Sequence, residues 1–363
     1  MGARNAPFDR SGTSGEPVGS RLRRWQRAPW GPRAAGVALN LQPRFPMQRT
    51  AALLLFLLVT GAAVTLVPRR GVASVEPRKQ AAPTLTLEAV AVGGELRWYR
   101  VYVPAGVPDG TTLPVVFCFH GGGGNALHAF ESYGVAEEAA KRGWIAVFPE
   151  GSGNAGGPPL FAFQTWNAGD CCAFASDNQI DDVVFFERMV EDLAAKYPAD
   201  TQRVFLTGMS NGGMMSYRIA AERPNLIAGL APVAGALEVG PPAGSVPLLA
   251  IHGLLDTSVP FGGGYGSGVS GAEFTSQLDS VLPFWAQNGA GAIYGPFVDG
   301  AAQIFVAPAP PGGADTWYFL ALDGGHSWPK APGKPFGFGV PVHQDVAATP
   351  LMFDFFALQP SRP

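Results

Sequence analysis

Gly208-Met209-Ser210-Asn211-Gly212 follows the apolar run Val204-Phe205-Leu206 and precedes a segment, 214–222, with helical periodicity. A strand, a serine between glycines and a helix, in this order, are typical of a sharp turn that lifts a serine hydroxyl above the end of a sheet. Glycine is expected on both sides because such a turn brings neighbouring backbone too close for a Cβ atom. The chain has 48 glycines, so this pentapeptide can arise by chance and needs support from the surrounding sequence.

A glycine-rich loop follows an earlier predicted strand. Residues 114–119 (PVVFCF) form a continuous apolar run, as in a strand buried on both faces, and His120-Gly121-Gly122-Gly123-Gly124-Asn125 comes directly after it. Backbone N–H groups in such a loop can bind an oxyanion that forms beside the serine. A flexible loop or a phosphate cradle are the alternatives, but no GK[ST] motif follows. We interpret His120 as a structural residue beneath this loop.

Asp256 and His326 complete the order serine, acid, histidine. Residues 247–251 (PLLAI) predict a buried strand, and Asp256 lies in the loop after it; residues 316–322 (TWYFLAL) predict the last strand, and His326 lies in the loop that follows. The gaps of 46 and 70 residues between Ser210, Asp256 and His326 leave room for one strand–helix unit and then a longer one. They predict a sheet that keeps adding parallel strands.

The three residues predict acyl transfer through a covalent intermediate, in which His326 removes the proton of Ser210 and Asp256 orients the imidazole. Asp299 and Asp323 are the alternatives for the acid. The chain has five histidines but neither an HExxH motif nor paired CxxC spacing, so we predict no metal site and no organic cofactor. An inert binding protein on the same scaffold is the alternative from another functional class.

Five motifs, in the same order along the chain, resemble secreted esterases of the polyhydroxybutyrate depolymerase and feruloyl esterase family. The resemblance extends from about residue 85 to the C-terminal end. The motifs are HGGGGNA (120–126), the tryptophan-to-cysteine segment with its following DDV (166–183), GMSNGGMMSYRIA (208–220), HGLLDTSVPF (252–261) and GGHSWP (324–329). The resemblance implies an α/β-hydrolase fold, with helices on both faces of a mostly parallel central sheet.

The resemblance also implies roles for individual residues. The family's catalytic triad matches Ser210, Asp256 and His326. By the same resemblance, the oxyanion donors are the backbone amides of Gly122 and Asn211. The side chains of Trp166 and Trp328 line the acyl pocket.

The predicted substrate is a neutral ester, either a small molecule or an oligomer. The family covers feruloyl and acetyl esters of plant polysaccharide as well as polyhydroxyalkanoate oligomers. An extracellular polyhydroxybutyrate depolymerase is the alternative, but depolymerases of crystalline polymer usually append a linker and a binding domain. No such region follows the last predicted helix, so we do not expect degradation of solid polyester.

An export signal is predicted before the catalytic region. Residues 1–46 are rich in Arg, Gly and Pro without apolar periodicity, and we expect them to be disordered or to precede the true start at Met47. Residues 47–73 predict a signal peptide cleaved before Ser74, because 51–67 are almost wholly apolar and arginines stand on both sides. An uncleaved membrane anchor is the alternative, and only then would a membrane be a partner.

The remaining segments are predicted to be a linker (74–84) and the catalytic domain (85–358), secreted into an extracellular or periplasmic space. Residues 1–79 hold 13 Lys and Arg against 3 Asp and Glu, which leaves 12 against 25 for the rest, a net charge of −13. Nucleic acid is therefore excluded as a partner, and neutral esters suit the surface better than anionic ones.

A long irregular stretch, 151–178, is predicted to form a wall of the active-site cleft, since loops of this length in compact domains are usually functional. It contains Cys171 and Cys172, while Cys118 lies in the strand before the glycine loop. Three cysteines cannot all pair. A vicinal bridge, a bridge to Cys118 and three free thiols all remain open.

Overall fold

The computed structural model describes residues 84–153, 163–267, 272–333 and 340–362. The predicted segments 1–46 and 47–73 lie outside the described residues, as does the predicted linker except for Thr84. None of the helices in the described part of the chain is long and apolar enough to cross a membrane.

The core of the fold is one large sheet with the strand order β1-β2-β4-β3-β5-β6-β7-β12-β11-β10. From β4 to β12 in this order the strands run parallel, and antiparallel pairs flank them at both ends. The bounds are β1 (Thr84–Val92), β2 (Glu95–Val103), β3 (Leu113–Phe119), β4 (Ile145–Pro149), β5 (Ala199–Met209), β6 (Gly229–Val233), β7 (Leu248–Gly253), β10 (Tyr294–Asp299), β11 (Ala302–Ala307) and β12 (Thr316–Ala321). A short hairpin of β8 (Gly264–Tyr265) and β9 (Glu273–Phe274) is separate from this sheet.

Helices cover both faces of the sheet. Residues of α1, α2 and α7 join one hydrophobic cluster, and residues of α4, α5 and α6 join the other. The bounds are α1 (Ala126–Ser132), α2 (Val135–Arg142), α3 (Ala173–Asp177), α4 (Asp182–Lys196), α5 (Asn211–Glu222), α6 (Gln277–Gln287) and α7 (Ala348–Phe356), with a 3₁₀ turn at Pro224–Leu226. This arrangement confirms the predicted α/β-hydrolase fold.

Strand β3 shows why a continuous apolar run is needed at the centre of this sheet. All seven of its residues are buried. Val116 and Cys118 contact the cluster that contains α7, whereas Val115 and Phe117 contact the cluster that contains α4 and α5. Because successive side chains point to opposite faces, a strand covered on both sides has no polar face.

Two helices differ from the sequence-based expectation. The apolar periodicity predicts one helix over 130–142, but Gly134, with φ of 70°, separates α1 from α2. A second helix is predicted over 272–288 with Trp285 buried. It begins instead at Gln277, where the Ser276 side chain accepts a hydrogen bond from the N–H of Asp279, and Phe284 is the fully buried aromatic residue.

The far edge of the sheet also differs from the prediction. Between β7 and β12 the chain forms α6 and then a β10–β11 hairpin, which lies antiparallel outside β12. The predicted parallel strands therefore extend to β12, and the antiparallel arrangement beyond it was not predicted. The site is unaffected because β12 still lies parallel beside β7.

Candidate active site

Ser210 lies on the turn between β5 and α5, with φ of 55° and ψ of −123°. The glycines around it are sterically required. A Cβ on Gly208 would lie 2.5 Å from the carbonyl oxygen of Gly212, and a Cβ on Gly212 would collide with the carbonyl oxygen of Phe119. The predicted strained turn is thus present, and it holds Ser210 at the carboxyl edge of the parallel strands.

Three predicted residues meet in one hydrogen-bonded chain. The Nε2 atom of His326 lies 2.9 Å from Ser210 Oγ, and its Nδ1 atom lies 2.8 Å from Asp256 Oδ2. The other carboxylate oxygen of Asp256 accepts backbone N–H bonds from Ser258 and Val259 at 2.9 and 2.8 Å. Donation from Nδ1 to the carboxylate leaves Nε2 free to accept the serine proton.

Gly122 and Asn211 flank this serine. A Cβ on Gly122 would lie 3.7 Å from the Cβ of Asn211, so the loop after β3 and the start of α5 are in contact. Asn211 is the first residue of α5, and its N–H belongs to the first turn, where amides have no partner within the helix. Such amides, at the positive end of the helix dipole, favour a negative charge.

A cavity of about 400 Å³ opens above Ser210. Its wall is formed by Gly121, Gly122, His128, Tyr133, Phe163, Thr165, Cys172, Ala173, Met209, Ser210, Asn211, Met214, Ser258, Val259, Ser267, Phe274, His326 and Val340. Among the described residues of this wall there is no Asp, Glu, Lys or Arg. A mostly apolar cleft with a few convergent polar groups is typical of small-molecule sites.

The two predicted pocket tryptophans lie elsewhere. Trp166 is fully buried and donates its indole N–H to the carbonyl oxygen of His120 at 2.9 Å. Trp328 is 4% exposed and donates to Thr349 Oγ1 at 2.9 Å. Neither borders the cavity, because each indole is held by an internal acceptor beneath the surface of the site.

Aromatic side chains that the sequence did not single out border the cavity instead: Tyr133, Phe163 and Phe274. They come from the end of α1, the irregular stretch after β4 and strand β9. Phe163, Thr165, Cys172 and Ala173 confirm that the stretch 151–178 contributes a wall of the cleft, although 154–162 lie outside the described residues. The spacing of these aromatic residues along the sequence does not indicate that they meet at one cavity.

Two other histidines near the site are structural. His120 is fully buried, lies 2.8 Å through Nδ1 from the Gly121 carbonyl oxygen, and accepts the N–H of Gly151 at Nε2. His252 donates through Nε2 to the carbonyl oxygen of Val259 at 2.9 Å. Burial lowers the pKa of His120 to about 4 and the pKa of His252 to about 4, so both rings are neutral near pH 7.

The alternative acids do not contact His326. Asp323 lies 2.6 Å from Nδ1 of His343, and Asp299 ends β10 at the sheet edge. Asp323, His343 and Asp345 bring their ligand atoms within 4.8 Å of one another. However, Nε2 of His343 accepts the N–H of Val346 at 3.1 Å, so both ring nitrogens already have hydrogen-bond partners within the protein. We therefore interpret these three side chains as stabilising the loop and not as metal ligands.

The cysteines adopt one of the three arrangements left open by the sequence. Cys171 and Cys172 form a vicinal disulfide, and Cys118 has a free, buried thiol. Cys172 borders the cavity, so the disulfide belongs to its wall.

No protein-family model matches the chain. Among curated proteins, the provisionally named esterase NocK of Nocardia uniformis subsp. tsuyamanensis is 33% identical over 52% of this chain and 54% of its own length. The provisionally named feruloyl esterase C of Aspergillus terreus is 27% identical over 73% of this chain and 86% of its own length. Poly(3-hydroxyalkanoate) depolymerase C of Paucimonas lemoignei is 29% identical over 39% of this chain and 32% of its own length.

The match with NocK thus spans about half of that protein, and the match with the depolymerase about a third. A solved structure, the acetyl xylan esterase from Aspergillus awamori, is 16% identical with a TM-score of 0.47, over 66% of this chain and 94% of that one. The chain is a relative of esterases that include feruloyl esterases and a poly(3-hydroxyalkanoate) depolymerase.

Proposed function

We propose that this protein is a serine carboxylesterase that hydrolyses neutral esters through an acyl-enzyme. The observation that carries the proposal is the hydrogen-bonded chain from Ser210 through His326 to Asp256 at the floor of an apolar cavity. This order of groups activates a hydroxyl for attack on a carbonyl carbon. The names of the related proteins, which are esterases and an ester-cleaving depolymerase, support the same reaction.

In the proposed mechanism His326 takes the proton of Ser210 as the hydroxyl attacks the ester carbonyl. Asp256 holds the imidazole in the tautomer that accepts at Nε2 and stabilises the imidazolium that forms. The N–H groups of Gly122 and Asn211 bind the oxyanion. His326 then protonates the leaving alcohol, and water repeats the sequence to release the acid.

The wall of the cavity supports the proposed substrate class. Its aromatic and thioether side chains favour an apolar acyl or alcohol group, and the described part of the wall offers no charged side chain to pair with an anion other than a protonated histidine. Burying an unpaired charge there would be costly. Feruloyl or acetyl esters of plant polysaccharide and short hydroxyalkanoate oligomers fit this chemistry.

We also infer that the protein is exported, to the extracellular or periplasmic space. The apolar run 51–67 and its flanking arginines support export, and so does the vicinal disulfide, because disulfides persist in oxidising compartments. N-terminal sequencing of protein from a secreting host tests this inference: cleavage near Ser74 supports export with signal removal, whereas an intact segment in a membrane fraction supports an anchored protein.

The test of the catalytic proposal is covalent labelling with a fluorophosphonate, which reacts with activated serines. We expect one adduct, located at Ser210 by mass spectrometry, and none in Ser210→Ala. A panel of p-nitrophenyl acetate, methyl ferulate, acetylated xylan and 3-hydroxybutyrate oligomers then identifies the substrate. An unlabelled, folded protein that hydrolyses none of these esters would contradict the proposal and favour an inert binding protein.

A further inference from the structure

Asn211, directly after Ser210, contributes to the site with its side chain as well as its backbone. The residue is 2% exposed, and its amide pairs with the main chain of Trp166 in both directions. The N–H of Trp166 donates to Asn211 Oδ1 at 2.7 Å, and Asn211 Nδ2 donates to the Trp166 carbonyl oxygen at 2.9 Å. The side chain is therefore a two-bond clamp between α5 and the main chain of Trp166.

Trp166 connects this clamp to the glycine loop. Its indole N–H donates to the carbonyl oxygen of His120, two residues before Gly122, and its ring lies 4.9 Å from the His120 ring. Gln164, two residues before Trp166, accepts the N–H of Gly123 at 2.7 Å through its main-chain carbonyl oxygen. The short segment 164–166 thus bonds to both elements that carry the proposed oxyanion donors.

Cys172 of the vicinal disulfide also bonds to this segment through its backbone N–H. The N–H of Cys172 donates to the carbonyl oxygen of Trp166 at 3.2 Å, the same oxygen that accepts from Asn211. These bonds fix the position of Trp166, and the Asn211 side chain fixes the start of α5 relative to Trp166.

We propose that the Asn211 side chain is a positioning residue, which acts through Trp166 to set the separation of the N–H groups of Gly122 and Asn211. The inference rests on the proposed function, since these two groups are its oxyanion donors. Donors stabilise a transition state when they lie at hydrogen-bond distance from the developing oxyanion, and small displacements are costly in rate. Loss of the clamp therefore lowers turnover more than it weakens substrate binding.

The chain offers a matched control in Asn288, which is fully buried and makes the same two-way pairing with Val246. The N–H of Val246 donates to Asn288 Oδ1 at 2.8 Å, and Nδ2 donates to the Val246 carbonyl oxygen at 2.8 Å. Val246 precedes β7, at the edge of the sheet opposite the site. Asn288→Ala removes the same pair of bonds, together with bonds to Ser245 and Thr316, without touching the active-site loops.

The experiment compares Asn211→Ala with Asn288→Ala by melting temperature, by kcat and KM on p-nitrophenyl acetate, and by the Ki of a trifluoromethyl ketone, whose serine adduct carries an oxyanion. For Asn211→Ala we expect kcat to fall about tenfold to a hundredfold, less than complete loss of a donor, with KM within about threefold. The Ki should rise by the factor by which kcat/KM falls. Asn288→Ala should lose at least as much thermal stability, because it removes more hydrogen bonds, and should keep kcat and Ki within about twofold.

A kcat and Ki within twofold of the unaltered protein in Asn211→Ala would overturn the positioning role and leave a structural one. If Asn211→Ala does not fold, Trp166→Phe, which removes the bond to His120 but keeps an aromatic ring, is judged by the same criteria. Ser210→Ala separates the two possible failures. A Ser210→Ala variant that keeps about a tenth of the normal kcat refutes the serine mechanism and this inference with it. A loss of several orders of magnitude in Ser210→Ala beside an unaffected Asn211→Ala refutes the positioning role alone.

Discussion

Tyr133 and Trp328 stack face to face, with ring centroids 4.4 Å apart and an interplanar angle of 3°. Thr349 links the two residues through hydrogen bonds. Trp328 Nε1 donates to Thr349 Oγ1 at 2.9 Å, and Thr349 Oγ1 donates to the carbonyl oxygen of Tyr133 at 2.6 Å. Trp328 is two residues after His326, so this group fixes the histidine loop against α1 and α7.

The first prediction follows from this stack. Trp328→Ala should lower the free energy of unfolding by about 3–5 kcal/mol, the usual cost for a buried aromatic residue. It should also reduce kcat on a soluble ester, because the loop that carries His326 loses its support. The measurements are urea unfolding and steady-state kinetics at a temperature where the variant is folded.

Trp317→Ala is the matched control for that variant. Trp317 is 2% exposed on β12 and contacts Phe355 of α7, so its loss opens a cavity of similar kind between the sheet and α7. We expect a comparable loss of stability with kcat nearly unchanged. Equal losses of kcat in both variants would mean that Trp328 has no specific effect on His326.

The second prediction concerns the proposed triad. Ser210→Ala and His326→Ala should each reduce kcat by several orders of magnitude, and the double variant should be no worse than either, because the residues act as a unit. Asp256→Asn should lower kcat by about 10⁴-fold, since an amide favours the wrong imidazole tautomer. Circular dichroism would verify folding. Additive losses in the double variant would contradict the proposal.

Much of this site can be predicted from the sequence because its residues lie at the ends of strands. Ser210, Asp256 and His326 each follow an apolar run, and the carboxyl ends of parallel strands meet at one edge. Gly134 and Gln277 show the usual error at helix boundaries, where local backbone geometry and capping override periodicity. The wall of the cavity could not be predicted, because Phe163 and Phe274 come together through loops and a short hairpin without periodicity.

Trp166 illustrates a different limit. The family resemblance implies that Trp166 lines the acyl pocket, yet its side chain is fully buried beneath the glycine loop. Its direction is set by the carbonyl oxygen of His120, an acceptor 46 residues away in sequence. A buried polar group is satisfied by whichever partner tertiary structure brings near, and spacing does not encode that partner.

The third prediction concerns the cysteines. In denaturant without reductant, alkylation should modify one thiol, at Cys118, because Cys171 and Cys172 are joined; with reductant all three should react. In the folded protein Cys118 should be unreactive, since burial raises the pKa of its thiol and removes it from solvent. Mass spectrometry of alkylated peptides gives the count. Three reactive thiols without reductant would contradict the vicinal bridge.

The fourth prediction is a loss of stability in mild acid. His120 and His252 each have a pKa of about 4 in the folded protein against an ordinary value near 6.5, because burial disfavours the charged form. The unfolded chain thus binds more protons between pH 6.5 and 4. The stabilisation by neutral histidines is complete above about pH 6.5 and is lost as the pH falls toward 4, by up to roughly 3 kcal/mol for each ring.

Urea unfolding at pH 7.5, 6, 5 and 4.5 tests this pH dependence. His252→Gln removes one titrating ring and should flatten the dependence. Equal slopes in the unaltered protein and in His252→Gln would show that other groups control acid stability.

The last prediction concerns Phe163, which borders the cavity although it is 48% exposed. Its ring covers Gly123 so closely that a Cβ on this glycine would lie 2.6 Å from the ring. A ring over the glycine loop can stack on an aromatic acyl group but gains little from an acetyl group. Phe163→Ala should therefore raise KM for methyl ferulate several-fold, equivalent to about 1 kcal/mol, and leave KM for p-nitrophenyl acetate nearly unchanged.

Gly123→Ala is the informative companion, because it should disturb the glycine loop in two ways. Gly123 has φ of 83°, which disfavours any side chain, and the added Cβ would also collide with Phe163. We expect kcat to fall for both esters, and Phe163→Ala in the same chain should restore only the part caused by the collision. If Phe163→Ala instead raised KM equally for ferulate and acetate esters, the ring would act on the shape of the loop. Any preference for aromatic acyl groups would then have to come from Tyr133 or Phe274 on the cavity wall.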